Sequence, residues 1–289
     1  MAKGNHALRS EIMNNRDRQP QTDSEIRDDS PLSAEEIVLS YPTTEDPVID
    51  GQSITAQPGA VTALVGPNGS GKSTLLKGVA DKLTPERGSV LLDGRDIDSY
   101  GSKELARRLG LLSQESTAPD SITVEKLVYY GRYPHRGFFE GVSSEDKQAV
   151  NQAIELAGCA HLRDREVGQL SGGQKQLAWI AMALAQDTDV LLLDEPTTFL
   201  DLHHQLEVME IIETLREEGE ITVVIVLHDV QQAARIADEM VALKDGEIRA
   251  RGTPEAVITE DLLAEVFEID AEVDRTTHGP CIEPIRPRN

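Results

Sequence analysis

Apolar residues recur in short β-branched runs separated by polar segments of helical period, and this alternation predicts strands and helices in turn. Residues 1 to 34 are polar and charged without apolar periodicity and read as a flexible tail. The pattern becomes regular from Ile37. VTALV (61 to 65) reads as a strand running into a glycine-rich loop, and a helix is predicted from Lys72. SVLLDG (89 to 94) and LGLLSQ (109 to 114) repeat the strand signal. Residues 115 to 168 read as mostly helical, with SSEDKQAVNQAIELAG supplying a serine cap, early acids and apolar residues at helical spacing. A helix from Ser171, the strand VLLLDE, the helix HHQLEVMEIIETLREEG, the strand ITVVIVLHD and the helix QQAARIADEM follow. MVALKDGEIRARG closes as a hairpin about Asp245 and Gly246. Such alternation predicts an α/β fold, a mostly parallel sheet with helices on both faces. The expected organisation is the tail, an α/β core (35 to 113 and 187 to 260), an inserted helical subdomain (114 to 186) and a C-terminal segment (261 to 289).

Composition narrows the class. The chain has 289 residues and is 39% apolar, enough for a substantial core. Its strongest apolar runs, VLLL and ITVVIVL, have strand length and fall short of the ~18 residues that a membrane span needs. The N-terminal segment lacks the apolar stretch of a secretory signal, so the chain is expected inside the cell. Cys159 and Cys281, distant and without CxxC spacing, read as free thiols. With 51 acidic against 28 basic residues the formal charge is -23, which repels nucleic-acid phosphates and argues against DNA or RNA as a partner. Self-repulsion of this size is relieved at ~1 M salt, where the screening length falls to ~3 Å, so a halophilic host is expected.

GPNGSGKST, from Gly66 to Thr74, matches the GxxxxGK[ST] pattern between a strand and a helix, the context that pattern requires. Gly66, Gly69 and Gly71, with Pro67, Asn68 and Ser70 between them, let the backbone curl until its N–H groups converge, and the positive end of the following helix adds to the field. That point suits the phosphates of ATP. Lys72 is placed to reach the β- and γ-phosphates and Ser73 to put its hydroxyl on Mg²⁺, with Thr74 completing the motif. VLLLDEP (190 to 196) ends a strand in two carboxylates. Asp194 is placed to hold the Mg²⁺ shell, as phosphate-loop ATPases do, a solvated turn being the other account of such a pair.

LSGGQ, Leu170 to Gln174, separates this chain from phosphate-loop proteins at large. Ser171 caps a helix while Gly172 and Gly173 leave its first amides open, which makes a second anion site. The segment resembles the signature motif of ATP-binding-cassette (ABC) proteins. The resemblance implies a phosphate-loop (RecA-like) sheet, an antiparallel β subdomain and the inserted helical subdomain. It also implies a head-to-tail dimer in which each ATP lies between the loop of one copy and Ser171, Gly172, Gly173 and Gln174 of the other. By the same resemblance Glu195 is the general base, His228 contacts the γ-phosphate, and Gln114 touches Mg²⁺ and water. Asp201 in TTFLD then bridges the two subunits and Tyr41 stacks on adenine. Taken singly, a glutamine, a histidine at a strand end and a tyrosine before a strand are equally compatible with ordinary packing. His203 and His204 beside Asp201 invite a metal reading, but adjacent residues on a helix point apart and share one ion poorly.

Longer stretches, TVEKLVYYGRYPH (123 to 135), LSGGQKQLAWIAMALAQ (170 to 186), DEPTTFLDLHHQ (194 to 205) and VLHDVQQAARIAD (226 to 238), look like the ATPases of iron(III)-siderophore importers, to which vitamin B12 and haem importers are close. The likeness implies two copies beneath a pair of integral-membrane permease subunits at the cytoplasmic face of the membrane, with an external substrate-binding protein delivering cargo. It places Gly131, Arg132, Pro134 and His135 at the permease, helical packing being the other account of those four. The chain departs from the family at Lys175, Gln176 and Leu177, where more arginine is usual, and in its tail and its acidity. Two competing readings are a soluble ABC ATPase of DNA repair or translation and an exporter subunit. A single phosphate loop and the short interval from Gln114 to Leu170 count against the first, and the lack of a fused permease against the second.

Overall fold

The computed structural model describes residues 30–114, 116–137, 141–276 and 279–288. The N-terminal part of the chain folds as β1 (Leu32–Leu39), β2 (Ile49–Ala56), β3 (Val61–Val65), α1 (Lys72–Val79), β4 (Arg87–Leu92), β5 (Arg95–Asp96), α2 (Ser102–Arg108) and β6 (Leu109–Leu112). The middle holds α3 (Val124–Tyr130), α4 (Ser144–Leu156), α5 (Gly172–Ala185), β7 (Val190–Asp194) and α6 (Leu202–Glu218). After these come β8 (Thr222–Val226), α7 (Val230–Ile236), β9 (Glu239–Lys244), β10 (Glu247–Gly252), α8 (Pro254–Val257), α9 (Glu260–Val266), β11 (Ile269–Thr276) and β12 (Gly279–Pro287).

A six-stranded sheet in the order β10-β9-β3-β8-β7-β6 forms the centre. Its neighbours are parallel except in the β9–β10 hairpin. Strands β3, β7 and β8 are buried at every position, as a sheet covered on both faces demands of its sequence. Side chains alternate between the two faces. Ala63, Val65, Leu191, Leu193, Val223 and Ile225 join the core that includes residues of α3 to α7. Leu64, Leu192, Val224 and Val226 join the core shared with α1 and the antiparallel sheet β2-β1-β4-β5. Both the α/β class and the antiparallel subdomain therefore stand as expected.

Several boundaries differ. The first strand starts at Leu32, inside the segment read as tail, because Leu32 and Ala34 are 3% and 1% exposed and pack under α1; residues 1 to 29 lie outside the described residues. Among the described residues between 116 and 168, α3 and α4 alone are α-helical, and short 3₁₀ turns and loops make up much of the rest. The helix read over QQAARIADEM stops at Ile236. Asp238 Oδ2 accepts the Val61 N–H at 2.9 Å, and Glu239 and Met240 open β9, which pairs with β3 as well as with β10. The C-terminal segment holds α9 and the β11–β12 hairpin, tied to α7 through Gln231, which donates to the Pro280 carbonyl and accepts from the Ile282 N–H at 2.8 Å each.

The helical subdomain is closed by a buried ion pair. Arg132, 1% exposed, donates Nε to Asp146 Oδ1 at 3.1 Å and Nη1 to the Ala185 carbonyl at 2.9 Å, joining the end of α3 to the start of α4 and the end of α5. A Cβ built on Gly131 would run into the Met182 carbonyl of α5. His135 Nε2 lies 2.7 Å from the Gln186 carbonyl, and the Pro134 carbonyl accepts from Arg107 Nε at 2.9 Å. Packing accounts for Gly131 and Arg132, while Pro134 and His135 are half-buried. Gly131 and Arg132 are buried inside the subdomain and so are not surface for a permease.

Candidate functional site

The site is assembled at the C-terminal ends of the parallel strands, where an open α/β sheet leaves a crevice. Past β3, residues 66 to 71 curl back into α1 with Gly66, Gly69 and Gly71 all at positive φ. At Gly66 the close backbone requires glycine, whereas at Gly71 the positive φ does, since the nearest atom is the movable tip of Ile49. At Gly66 a Cβ would collide with the Leu243 carbonyl and lie 2.8 Å from Ser70 Oγ, and at Gly71 it would lie 2.7 Å from Ile49 Cδ1. Lys72, 4% exposed, folds its ammonium onto the loop itself, donating to the Gly66 and Pro67 carbonyls at 2.8 and 2.9 Å. Burial pushes the Lys72 pKa below its ordinary value, against the opposing pull of Glu195 and Asp194. Among the described residues Ser70 Oγ is buried with no hydrogen-bond partner. Ser73 Oγ donates to Asp194 Oδ1 at 2.8 Å, across the step from α1 to β7. Burial raises the pKa of Asp194, 4% exposed; the Ser73 bond opposes the rise and the Glu195 charge adds to it. Tyr41 OH lies 3.4 Å from Thr74 Oγ1, which puts the tyrosine beside the start of α1.

Sheet register explains the next cluster. Leu112 on β6 pairs with Leu193, and Asp194 on β7 pairs with Val226 on β8, so residues just past these three strands converge. Glu195 sits there in the left-handed region, at φ 53. Its Oε1 is 2.6 Å from His228 Nε2, and its Oε2 accepts from Gln114 Nε2 at 2.7 Å and from Thr198 Oγ1 at 3.2 Å. Gln114 lies in the loop after β6, which ends at Leu112, so the strand itself does not carry it. A carboxylate oriented by three side chains, its Oε2 held by two donors, is a base held in one direction. Thr198 is a partner the sequence did not point out; a threonine three residues after the glutamate carries no signal of its own.

The signature segment is built as a helix start. Ser171 Oγ accepts the Gln174 N–H and the Gln174 side chain accepts the Ser171 N–H, both at 3.2 Å, a reciprocal cap on α5. Nothing lies near the position of a Cβ on Gly172, whereas one on Gly173 would run into the His204 ring. Asp201 caps α6, accepting at Oδ1 from the His204 N–H at 3.0 Å and from His204 Nδ1 at 2.8 Å. Those two bonds hold the Asp201 carboxyl below the usual carboxylate range. His203 lies 3.6 Å from Glu207. Among the described residues no hydrogen bond or ion pair links the Ser171–Gln174 segment to residues 66 to 74. The structure thus brings Lys72, Ser73, Asp194, Glu195, Gln114 and His228 together and leaves Ser171, Gly172, Gly173, Gln174 and Asp201 as a separate group.

Strand, curled glycine loop, buried lysine and a following carboxylate strand define a phosphate-loop nucleotide-binding protein. The ABC transporter family profile matches residues 49–198. The chain belongs to the ABC transporter family, as an ATPase of that family. It is 43% identical over 256 residues to the ferric enterobactin transport ATP-binding protein of Escherichia coli K12, covering 88% of this chain and 94% of that one. To the iron(3+)-hydroxamate import ATP-binding protein of Bacillus subtilis it is 42% identical, covering 87% and 94%. Among solved structures it resembles a dimeric post-hydrolysis ATP-binding cassette bound to ADP and Pi, with a TM-score of 0.68, 27% identity, and coverage of 77% of this chain and 98% of that one.

Proposed function

We propose that the chain is the ATP-hydrolysing subunit of an importer for iron(III)-siderophore complexes, working as a head-to-tail pair at the cytoplasmic face of the membrane beneath permease subunits. The observation that carries the hydrolytic part is Glu195, held by Gln114 and His228 one residue beyond the buried Asp194–Ser73 pair. The transported class is supported by the relatives' names, ferric enterobactin transport and iron(3+)-hydroxamate import. An external binding protein would hand over the cargo. No helix among the described residues is long and apolar enough to cross a membrane.

In this reading Lys72 leaves the Gly66 and Pro67 carbonyls for the β- and γ-phosphates of ATP, with the amides of Asn68, Gly69, Ser70, Gly71, Lys72, Ser73 and Thr74 closing around them. Tyr41 stacks on the adenine. The hydroxyl of Ser73, the buried carboxylate of Asp194 and the amide oxygen of Gln114 are hard oxygen donors that fit Mg²⁺. An ion held by these three oxygens would neutralise charge on the phosphates. Glu195 takes the proton of the attacking water, and His228 steadies the γ-phosphate. Ser171, Gly172 and Gly173 of a second copy, with Gln174 bracing the cap, close the site from the other side, and Asp201 reaches across the interface. Phe199, Leu202 and Leu206 beside Asp201 are 96%, 71% and 46% exposed, an apolar patch a second copy would cover.

Glu195→Gln tests the reading. The ATPase rate is expected to fall by ~10² to 10⁴, the usual worth of a general base. The variant loaded with ATP and magnesium should accumulate as a dimer, and cells carrying it should lose uptake of labelled iron-siderophore. Retained iron-siderophore uptake alongside lost cobalamin uptake would overturn the substrate assignment. A strictly monomeric variant would overturn the shared site.

A further inference from the structure

The Glu195 cluster and the phosphate loop leave one side chain at the site without a role. His204, on the first turn of α6, touches both halves of the surface that lies apart from the phosphate loop. Its ring stands where a side chain on Gly173 would be, against the start of α5, and its Nδ1 is 2.8 Å from Asp201 Oδ1. A carboxylate only accepts, so Nδ1 carries the hydrogen and donates. Its own amide donates to the same oxygen at 3.0 Å, and the next residue, Gln205, donates Nε2 to the Leu200 carbonyl at 3.1 Å. The turn at Leu200–Asp201 is therefore held from the α6 side by two consecutive side chains, and the His204 ring also lies against the start of the signature helix. The ring is one-fifth exposed and sits edge-on to His203 at 5.5 Å between centroids, so it is packed on more than one side.

We propose that His204 is a positioning residue that locks the Asp201 turn to the beginning of α5, so that the Asp201 carboxylate and the open amides at Gly172 and Gly173 meet a second copy as one rigid surface. This rests on the head-to-tail reading above. Two loops that moved independently would each have to be ordered on association, whereas a pre-locked pair carries less of that cost. Gly173 is then glycine for a local reason as well as for its amide, since the ring of His204 occupies the space a Cβ would need.

Three variants separate the two contacts. In a Glu195→Gln background, with saturating ATP and magnesium, sedimentation would measure the dimer dissociation constant, and a fluorescent ATP analogue would report nucleotide affinity of the monomer. His204→Ala loses both contacts and His204→Phe keeps ring bulk against Gly173 but loses the donor to Asp201. His204→Asn keeps an amide donor near the Nδ1 position. We expect all three to weaken dimerisation by about tenfold, about 1.4 kcal/mol, because each breaks at least one of the two contacts that the lock needs, with monomer ATP affinity unchanged within about twofold. Phe or Asn dimerising like its parent, or ATP affinity of the monomer falling in step, would each overturn the proposal. A parent that dimerises with all three variants unaffected overturns this inference alone. A parent that never dimerises overturns the head-to-tail reading and the inference with it.

Discussion

Arg132→Ala is expected to unfasten the helical subdomain. The guanidinium is 1% exposed, holds Asp146 at 3.1 Å and the Ala185 carbonyl at 2.9 Å, and lies 3.8 Å from Asp187. Its removal strips Asp146 Oδ1 of a donor inside a site only 4% exposed, while Oδ2 keeps the Ser143 N–H at 3.0 Å. Breaking a buried pair from one side costs ~3–5 kcal/mol, and the surviving bond to Ser143 points to the lower figure, ~3 kcal/mol. At ~2–4 °C per kcal/mol for a chain of this size, Tm falls by ~6–12 °C. The acid limb moves as well. Burial pushes the Asp146 carboxyl up, but the hydrogen bonds from Ser143 and Arg132 outweigh it and leave the pKa below its ordinary value. A carboxyl so depressed contributes stability that is complete above the unfolded-state pKa of ~3.9 and is lost as pH falls through the folded one. Without the guanidinium the burial remains, so the variant begins to unfold at higher pH than its parent. Thermal melts at neutral pH and an acid titration followed by circular dichroism measure both effects. A variant that melts within ~2 °C of the parent yet fails to bind a permease would refute the reasoning and return Arg132 to the docking surface.

Asp194→Asn keeps an acceptor for Ser73 while removing a charge that burial disfavours. Because the folded pKa is raised, stability declines as pH climbs from the ordinary carboxylate value through the raised one, and the cost is in force at neutral pH. Nucleotide-free Tm should rise by ~2 °C or more as magnesium-dependent ATPase is lost, and a lower Tm would contradict this. Cys159 is fully buried with its thiol pushed up to about 11, whereas Cys281 is exposed, so Ellman's reagent at mild alkaline pH should titrate one thiol quickly and the other only on unfolding. Two fast thiols would refute the burial of Cys159. With a formal charge of -23, Tm should climb between ~0.1 and ~1 M KCl as the screening length shrinks from ~10 to ~3 Å. Full stability and ATPase rate in dilute buffer would dispose of the halophilic origin.

Elements whose cause is local were legible from the chain. The strand-loop-helix at 61 to 79, the capped helix at 144 to 156 and the β9–β10 hairpin about Asp245 and Gly246 each depend on neighbouring residues, and each is where the pattern places it. Boundaries set by distant partners were not. Leu32 and Ala34 read as tail because their apolar contacts are with α1 and its neighbours, and QQAARIADEM reads as one helix because nothing local announces that Asp238 is claimed by the Val61 amide. The β11–β12 hairpin lacks any clear alternation, since much of it is exposed and its contact to α7 runs through polar Gln231.

The same division holds at the site. Sequence alone determined the phosphate loop, the capped signature helix and the buried carboxylate strand, because glycine conformation, helix capping and strand burial act over a few residues. Only the tertiary structure decided that Gln114 and Glu195, 81 residues apart, share a hydrogen bond with His228 opposite them, and that Arg132 is locked inside the subdomain and His204 against Gly173. These follow from which strands lie side by side and in what register, and that is settled by backbone pairing and burial over the whole molecule.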